Sequence, residues 1–351
     1  KEGPEIDLEN PFAIFSLFKE IMKGPSESDK PAIAVVFVEG AISGGEADSS
    51  PFGGGSGAHS TTIRKAIAQA AADKNVKALL MRVDSPGGSA IASDIICEAA
   101  LRFKKSGRPF IVSMGNVAGS GGYYVAALGD KIFAQPGTIT GSIGVVGGKM
   151  VTKGFWDWVG VTGHEYKRGK HADMFNTNRK WDETQEALVM KFMDRVYGEF
   201  KDRVVAGRGK KLKGEIDSLA GGRVYTGEQA LEIGLIYELG GFADAIKYTA
   251  GEADVGGDYD LKVFPKPKNL MDILSSAFGG KEKDDEMIST SAGPINAICL
   301  SKMPGVAESL AALAAIDPIK AKKAREFLIL AEQLGRENVL LIGPSISTVM
   351  P

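Results

Sequence analysis

The sequence predicts an α/β domain whose parallel sheet carries helices on its outside. Two observations support this: apolar runs of strand length alternate with helix-length segments, and glycine-rich turns follow two of those runs. With 351 residues, the chain can bury one large core and still carry an appendage.

Ile33 to Val38 reads as a buried strand, followed by a Gly/Ser-rich loop at 43–58 and a helix from Thr61 to Ala72. Ala78 to Val83 is the next strand, and a helix from Ala90 to Lys105 follows it. The strand Phe110 to Met114, a helix opening near Ser120 and a short strand, Lys131 to Ala134, continue the alternation. Asp182 to Arg208 is strongly helical, with Phe192, Val196, Phe200, Val204 and Val205 expected on one core face. Leu261 to Pro267 reads as a last strand, residues 268–292 turn polar, and Pro318 to Leu334 is helical. The expected organisation is an amphipathic helix and linker over 1–31, the main domain over 32–250, a final strand and polar linker over 251–284, and a helical appendage over 285–351.

Hydrophobic content of 44%, 25% charged residues and a net charge of -2 exclude disorder of the whole chain and give no surface for nucleic acid. Two cysteines, Cys97 and Cys299, make no disulfide framework, and Cys97 lies in an apolar helical run where a buried thiol is expected. No stretch of eighteen uncharged apolar residues occurs, so an anchor, if the parent protein has one, is expected outside this chain. Pro11 to Met22 forms a broad apolar helical face, suited to packing on protein or to touching a membrane.

The chemistry is expected in the two glycine-rich turns. Asp84-Ser85-Pro86-Gly87-Gly88-Ser89 follows a strand, and its glycines reach backbone angles that leave N–H groups uncovered, as an oxyanion hole needs; an ordinary strand-to-helix connection would look the same. Ala118-Gly119-Ser120-Gly121-Gly122 follows the strand ending at Met114, and small neighbours let a substrate backbone approach the Ser120 hydroxyl. The histidines are few: His59, His164 and His171, with no carboxylate singled out to orient one of them as a base. A lysine is the other solution, provided that its ammonium falls from about 10.4 towards neutrality.

Four ordered motifs over residues 33–250 resemble the signal peptide peptidase A family of Ser/Lys peptidases: Asp84 to Ser89, Ser113 to Tyr124, Thr138 to Val145, and Gly222 to Leu235. The resemblance implies a crotonase and Clp-protease-like superhelix of repeated strand-strand-helix units. It also implies Ser120 as nucleophile, the Gly87 and Gly121 amides as oxyanion donors, and Ser142 as the hydroxyl that orients the lysine amine. Neither cofactor nor metal is expected. Expected partners are peptides such as released signal peptides, and either further copies of the chain or a lysine-bearing half. The family setting is a bacterial inner membrane, with the domain facing the periplasm or cell exterior and membrane attachment through a segment outside this chain.

The family lysine lies about 52 residues after the nucleophile, where this chain has Ala172 in Gly169-Lys170-His171-Ala172-Asp173. If that segment is extended, Lys170 shares the face of position 172 but sits some 6–7 Å away. Two accounts stay open. The opening Asp7 to Phe15 resembles the junction before the second half of double-length members, whose first half supplies the lysine, or else Ala172 is an inactivating change. On either account the chain alone is expected to hydrolyse peptides poorly. A silent binding subunit and a crotonase-type acyl-CoA enzyme, which needs no activated serine, are the alternatives.

Overall fold

A computed structural model describes residues 28–47, 57–160, 162–265 and 339–342. The amphipathic Pro11–Met22 segment, Cys299 and the helical run 318–334 lie outside the described residues. No helix among the described residues is long and apolar enough to cross a membrane.

The described residues begin with strand β1 (Ala32–Glu39) and the short β2 (Ile42–Ser43) and β3 (Ala58–His59), then helix α1 (Ser60–Ala72). The same unit recurs as β4 (Val76–Ser85), the short β5 (Gly87–Ser89) and α2 (Ala90–Lys104), and again as β6 (Phe110–Gly119) with α3 (Gly121–Ala126). Next come β7 (Lys131–Ala134), β8 (Ile139–Gly141), β9 (Val146–Gly147), α4 (Lys153–Val159) and the long α5 (Glu183–Arg208). The remaining elements are α6 (Ile216–Leu219), β10 (Val224–Thr226), α7 (Gly227–Glu232), β11 (Glu238–Leu239), α8 (Phe242–Glu252), β12 (Asp260–Phe264) and β13 (Val339–Ile342).

Eight strands form the main sheet, in the order β10-β8-β6-β4-β1-β12, with β7 on β6 and β11 on β7. All pairs are parallel except β10 with β8. A second sheet of short strands runs β3-β2-β5-β13-β9. Both faces of the main sheet are covered, which is why its strands are almost continuously apolar. Leu79, Met81 and Val83 of β4 and Phe110, Val112 and Met114 of β6 join the larger core, where Ile67 of α1 and Ile96 of α2 pack. The alternate residues Ile33, Leu80 and Ile111 point to the other face, with Ala245 and Phe242 of α8. Cys97 is buried in the larger core, and burial pushes its thiol up to about 12.

The long helix α5 departs from the expected continuous core face. Phe200 and Val204 are fully buried, but Phe192 and Val205 are each more than 40% exposed. Only the C-terminal half reaches the sheet layer; there Phe200 packs on Tyr124 of α3, with ring centroids 5.0 Å apart. Helical periodicity marked the apolar residues correctly but could not show where the neighbouring elements end.

Gly207 marks the closest approach in this region, since a Cβ there would overlap the Ala127 carbonyl at the end of α3. Alanine in place of a helical glycine ordinarily stabilises by about 0.5–1 kcal/mol, whereas overpacking against backbone costs about 1–3 kcal/mol. Gly207→Ala is therefore expected to lower the melting temperature in thermal denaturation. A raised melting temperature would show that α5 and α3 are not in close contact.

Candidate active site

Strand register, rather than sequence proximity, assembles the site. Ser85 of β4 pairs with Ala118 of β6, so Gly87 and Ser120 each lie two residues beyond the same rung. Gly119 of β6 pairs with Gly141 of β8, so Ser120 and Ser142 each lie one residue beyond the next rung. The Ser120 amide donates to the Gly141 carbonyl at 2.9 Å and fixes that second junction. Gly87, Ser120, Gly121 and Ser142 thus meet at the C-terminal ends of three adjacent parallel strands, where open α/β sheets bind ligands.

Ser120 caps α3 with φ 52° and ψ -116°, a conformation adopted almost only by glycine. It is fully buried, and its Oγ has no hydrogen-bond partner among the described residues. Ser142 also has positive φ, 50°, and its amide donates to the Arg223 carbonyl at 2.6 Å. Strain of this kind costs on the order of 1–3 kcal/mol per residue and persists only where the surroundings over-determine it. Here α3 supplies that constraint. The Tyr123 hydroxyl donates to the Leu235 carbonyl at 2.7 Å, and the Tyr124 hydroxyl donates to Asp94 at 2.8 Å. Burial pushes both phenols up, so they remain neutral donors. Arg203 of α5 closes the cluster on Asp94 and Glu98 of α2, at 3.1 and 2.5 Å.

The Gly87 turn, expected from the sequence to supply an oxyanion donor, is held by two residues that the sequence reading left without a role. Asp84 accepts from the Val117 amide at 3.1 Å and the Asn116 side chain at 3.2 Å, tying β6 to the turn. Ser85 Oγ donates to the Gly40 carbonyl at 2.6 Å and accepts from the Gly87 amide at 3.1 Å. Gly87 has φ 103°, the left-handed half of the map that only glycine enters freely. Gly121 opens α3, where first-turn amides have no partner within the helix. A serine following a strand and preceding a proline and two glycines was the available sequence signal for Ser85.

The segment around Ala172 is not extended. Residues 169–175 form successive turns, with the Met174 amide donating to the His171 carbonyl at 3.0 Å, so the face-sharing premise for Lys170 does not apply. Ala172 is exposed to solvent. The buried Asp173 carboxylate collects Lys167 at 2.6 Å, Arg179 and the Gln185 side-chain amide at 3.2 Å. Lys149 Nζ donates to the Met174 and Asn176 carbonyls at 2.9 and 3.1 Å. Burial, with Arg179 nearby, holds the Lys149 ammonium below the ordinary lysine range. Its hydrogen bonds nonetheless commit it to the 174–176 backbone and not to Ser120.

The mainly parallel sheet, its second layer of short strands and the repeated strand-strand-helix units define an α/β domain of the crotonase and Clp-protease type. Residues 102–256 match peptidase family S49. Over 272 residues, 78% of its length, the chain is 32% identical to protease 4 of Salmonella typhi, of which the match covers 42%. It is 38% identical over 209 residues to a candidate signal peptide peptidase SppA of Enterococcus faecium, 60% of each chain. A candidate protease of Synechocystis sp. is 34% identical over 223 residues, 62% of this chain and 80% of that protein. The chain belongs to peptidase family S49, a family of serine proteases. It spans less than half of the Salmonella protein and about three fifths of the Enterococcus one.

Proposed function

We propose that this chain is the serine-bearing part of a serine endopeptidase acting on unfolded, apolar peptides, released signal peptides among them. Ser120 Oγ attacks the scissile carbonyl, the Gly87 and Gly121 amides receive the oxyanion, and Ser142 orients the amine that takes the Ser120 proton. The observation that carries this reading is the strained, buried Ser120 hydroxyl without a partner, set between Gly87 and Ser142 on adjacent strand ends. The name signal peptide peptidase, borne by the Enterococcus relative, supports the substrate class.

The general base comes from a lysine outside this chain, in another half or another subunit. The exposure of Ala172 supports that source, since an amine there would remain hydrated and fully protonated at neutral pH. Ala172→Lys in the isolated chain is therefore expected to leave hydrolysis of an apolar peptide ester at background. A rise of tenfold or more, with a pH profile titrating below free lysine, would place the base at 172 instead.

A fluorophosphonate tests the nucleophile in the assembled protein. Labelling at Ser120 alone, slowed by an apolar peptide, is expected; labelling elsewhere with Ser120 unmodified would overturn the assignment. A silent binding subunit is the second reading, favoured by the lack of lysine at 172. It would bind peptide while Ser120 stays unlabelled, even beside a lysine-bearing partner.

A further inference from the structure

Helices α1 and α2 pack side by side on one face of the main sheet. Between them lies an open groove of about 260 Å³. Arg64 of α1, Arg102 of α2, and Ser106 and Arg108 of the following turn supply its polar lining, and no carboxylate lines it among the described residues. The floor is apolar, where Ile67 and Ala71 from α1 meet Ala99 and Phe103 from α2. Residues 64, 67, 68 and 71 recur at helical spacing, as do 99, 102 and 103, so each helix turns one face to the groove. The short side chains of Ala68, Ala71 and Ala99 keep it open.

Arg108 is built into the base of this groove. Its guanidinium donates to Ser106 Oγ at 2.8 Å, to the Val76 carbonyl at 3.3 Å and to the Ala71 carbonyl at 3.0 Å, and lies 4.2 Å from the Phe103 ring centroid. These bonds leave part of the five-donor fork free. Burial holds Arg108 below the ordinary arginine range, as befits a cation short of water. Arg64 and Arg102 have no hydrogen bond, ion pair or ring contact among the described residues. Arg102 stands in the last turn of α2, where a cation complements the negative end of the helix; Arg64, in the N-terminal half of α1, has no such explanation. Three guanidinium groups around one groove repel one another until an anion neutralises them.

We propose that the groove between α1 and α2 binds a small phosphate ester with a short apolar group, its phosphate on Arg64 and Arg102 and its apolar group on the alanine and Phe103 floor. A guanidinium favours phosphate because its fork meets two oxygens at once, and two unpaired forks suit a dianion. The volume falls just below the roughly 300 Å³ at which small-molecule sites begin, which limits the occupant to the size of a headgroup. A soluble ester and the headgroup of an anionic lipid present the same chemistry. This inference goes beyond the proposed function and does not depend on it. Arg108 bonds the first residue of β4 and lies just before the first residue of β6, whereas Gly87 and Ser120 follow the far ends of those strands. Ten strand residues set the two sites about 30 Å apart.

Isothermal titration calorimetry of the full chain at low ionic strength tests this, with hexyl phosphate as the probe and inorganic phosphate and hexanol as its two halves. Hexyl phosphate is expected to bind one site at least tenfold more tightly than inorganic phosphate, and hexanol not to bind. Arg64→Gln combined with Arg102→Gln is expected to weaken binding at least tenfold. Ala68→Phe, which fills the groove and keeps every charge, is expected to do the same. Arg102 and Ala68 are exposed and Arg64 is half-buried, so these chains are expected to fold, as thermal melts will show. In the unaltered chain, hexyl phosphate is expected to slow hydrogen exchange in residues 64–71 and 99–108. No binding by the unaltered chain, equal affinity in the altered ones, inorganic phosphate binding as tightly as the ester, or protection only elsewhere would overturn the proposal. Cosedimentation with phosphatidylcholine vesicles containing phosphatidic acid separates the sources. Vesicle binding lost with the two arginine changes supports a lipid occupant, and vesicle binding absent or insensitive to them, with hexyl phosphate still bound, supports a soluble one. Fluorophosphonate labelling of Ser120 in the assembled protein is expected to be equal with and without the arginine changes. Slower labelling would overturn the independence of the two sites.

Discussion

Ser120→Ala is expected to remove peptide hydrolysis from the assembled protein, a loss on the order of 10⁴–10⁶ in kcat, while the chain stays folded. The loss follows from removing the bond-forming atom. Retention of the fold follows from the surroundings, because Oγ has no hydrogen-bond partner to forfeit. A buried hydroxyl left unpaired costs about 1–3 kcal/mol, so its deletion removes a penalty. Ser120→Gly separates the two effects further, since glycine adopts φ 52° and ψ -116° freely. That variant is expected to be as inactive as Ser120→Ala and to melt at a higher temperature, reflecting release of about 1–3 kcal/mol of backbone strain. Initial rates on an apolar peptide amide, with thermal melts of all three proteins, are the measurement. Turnover retained by a folded Ser120→Ala protein would refute the serine mechanism, and a destabilised Ser120→Gly would refute the strain.

Gly87→Ala is expected to lower kcat by 10²–10³, with KM within a few-fold of the parent. At φ 103° a Cβ meets the steric cost of the left-handed region, about 1–2 kcal/mol, and the turn relaxes by swinging its amide away from the carbonyl oxygen. Loss of one oxyanion donor accounts for a rate effect of that size, because the donor contributes mainly when negative charge develops. The paired measurement is affinity for a cleaved peptide product. Parallel losses in rate and product affinity would mean that the turn has misfolded, and the oxyanion role of Gly87 would lose its support.

The main sheet was legible because its strands are buried on both faces: Ile33–Val38, Ala78–Val83 and Phe110–Met114 are apolar runs that no surface strand would carry. The extension of β6 to Gly119 was not legible, since Gly115, Asn116 and Gly119 look like loop and are held as strand by Asp84 and by β8. The second sheet was hidden for a different reason. Strands of two to four residues show no alternation, and their existence depends on backbone pairing between segments as distant as Gly87 and Ile342. At the site, the motifs singled out Gly87, Gly121, Ser120 and Ser142. The rungs that align them, the backbone angles of Ser120 and the grip of Ser85 on Gly87 belong to three dimensions. The lysine question shows the reverse: residue 172 could be located by spacing, but its exposure depends on how residues 169–175 turn.

The 26 residues of α5 span about 39 Å at 1.5 Å per residue, and the helix is held near both ends. Phe200 on Tyr124, Arg203 on Asp94 and Glu98, and Gly207 against the end of α3 fix the inner end, and the buried Gln185 on Asp173 fixes the outer one. In mechanical terms the helix is a beam on two supports, one at the short helix that follows Ser120 and one at the Asp173 turn, while Leu188, Met190 and Phe192 are exposed along the outer half. A load on such a beam is shared between its supports, so whatever seats on that face bears both on the Asp173 turn and on the residues that hold Ser120's backbone in its strained shape.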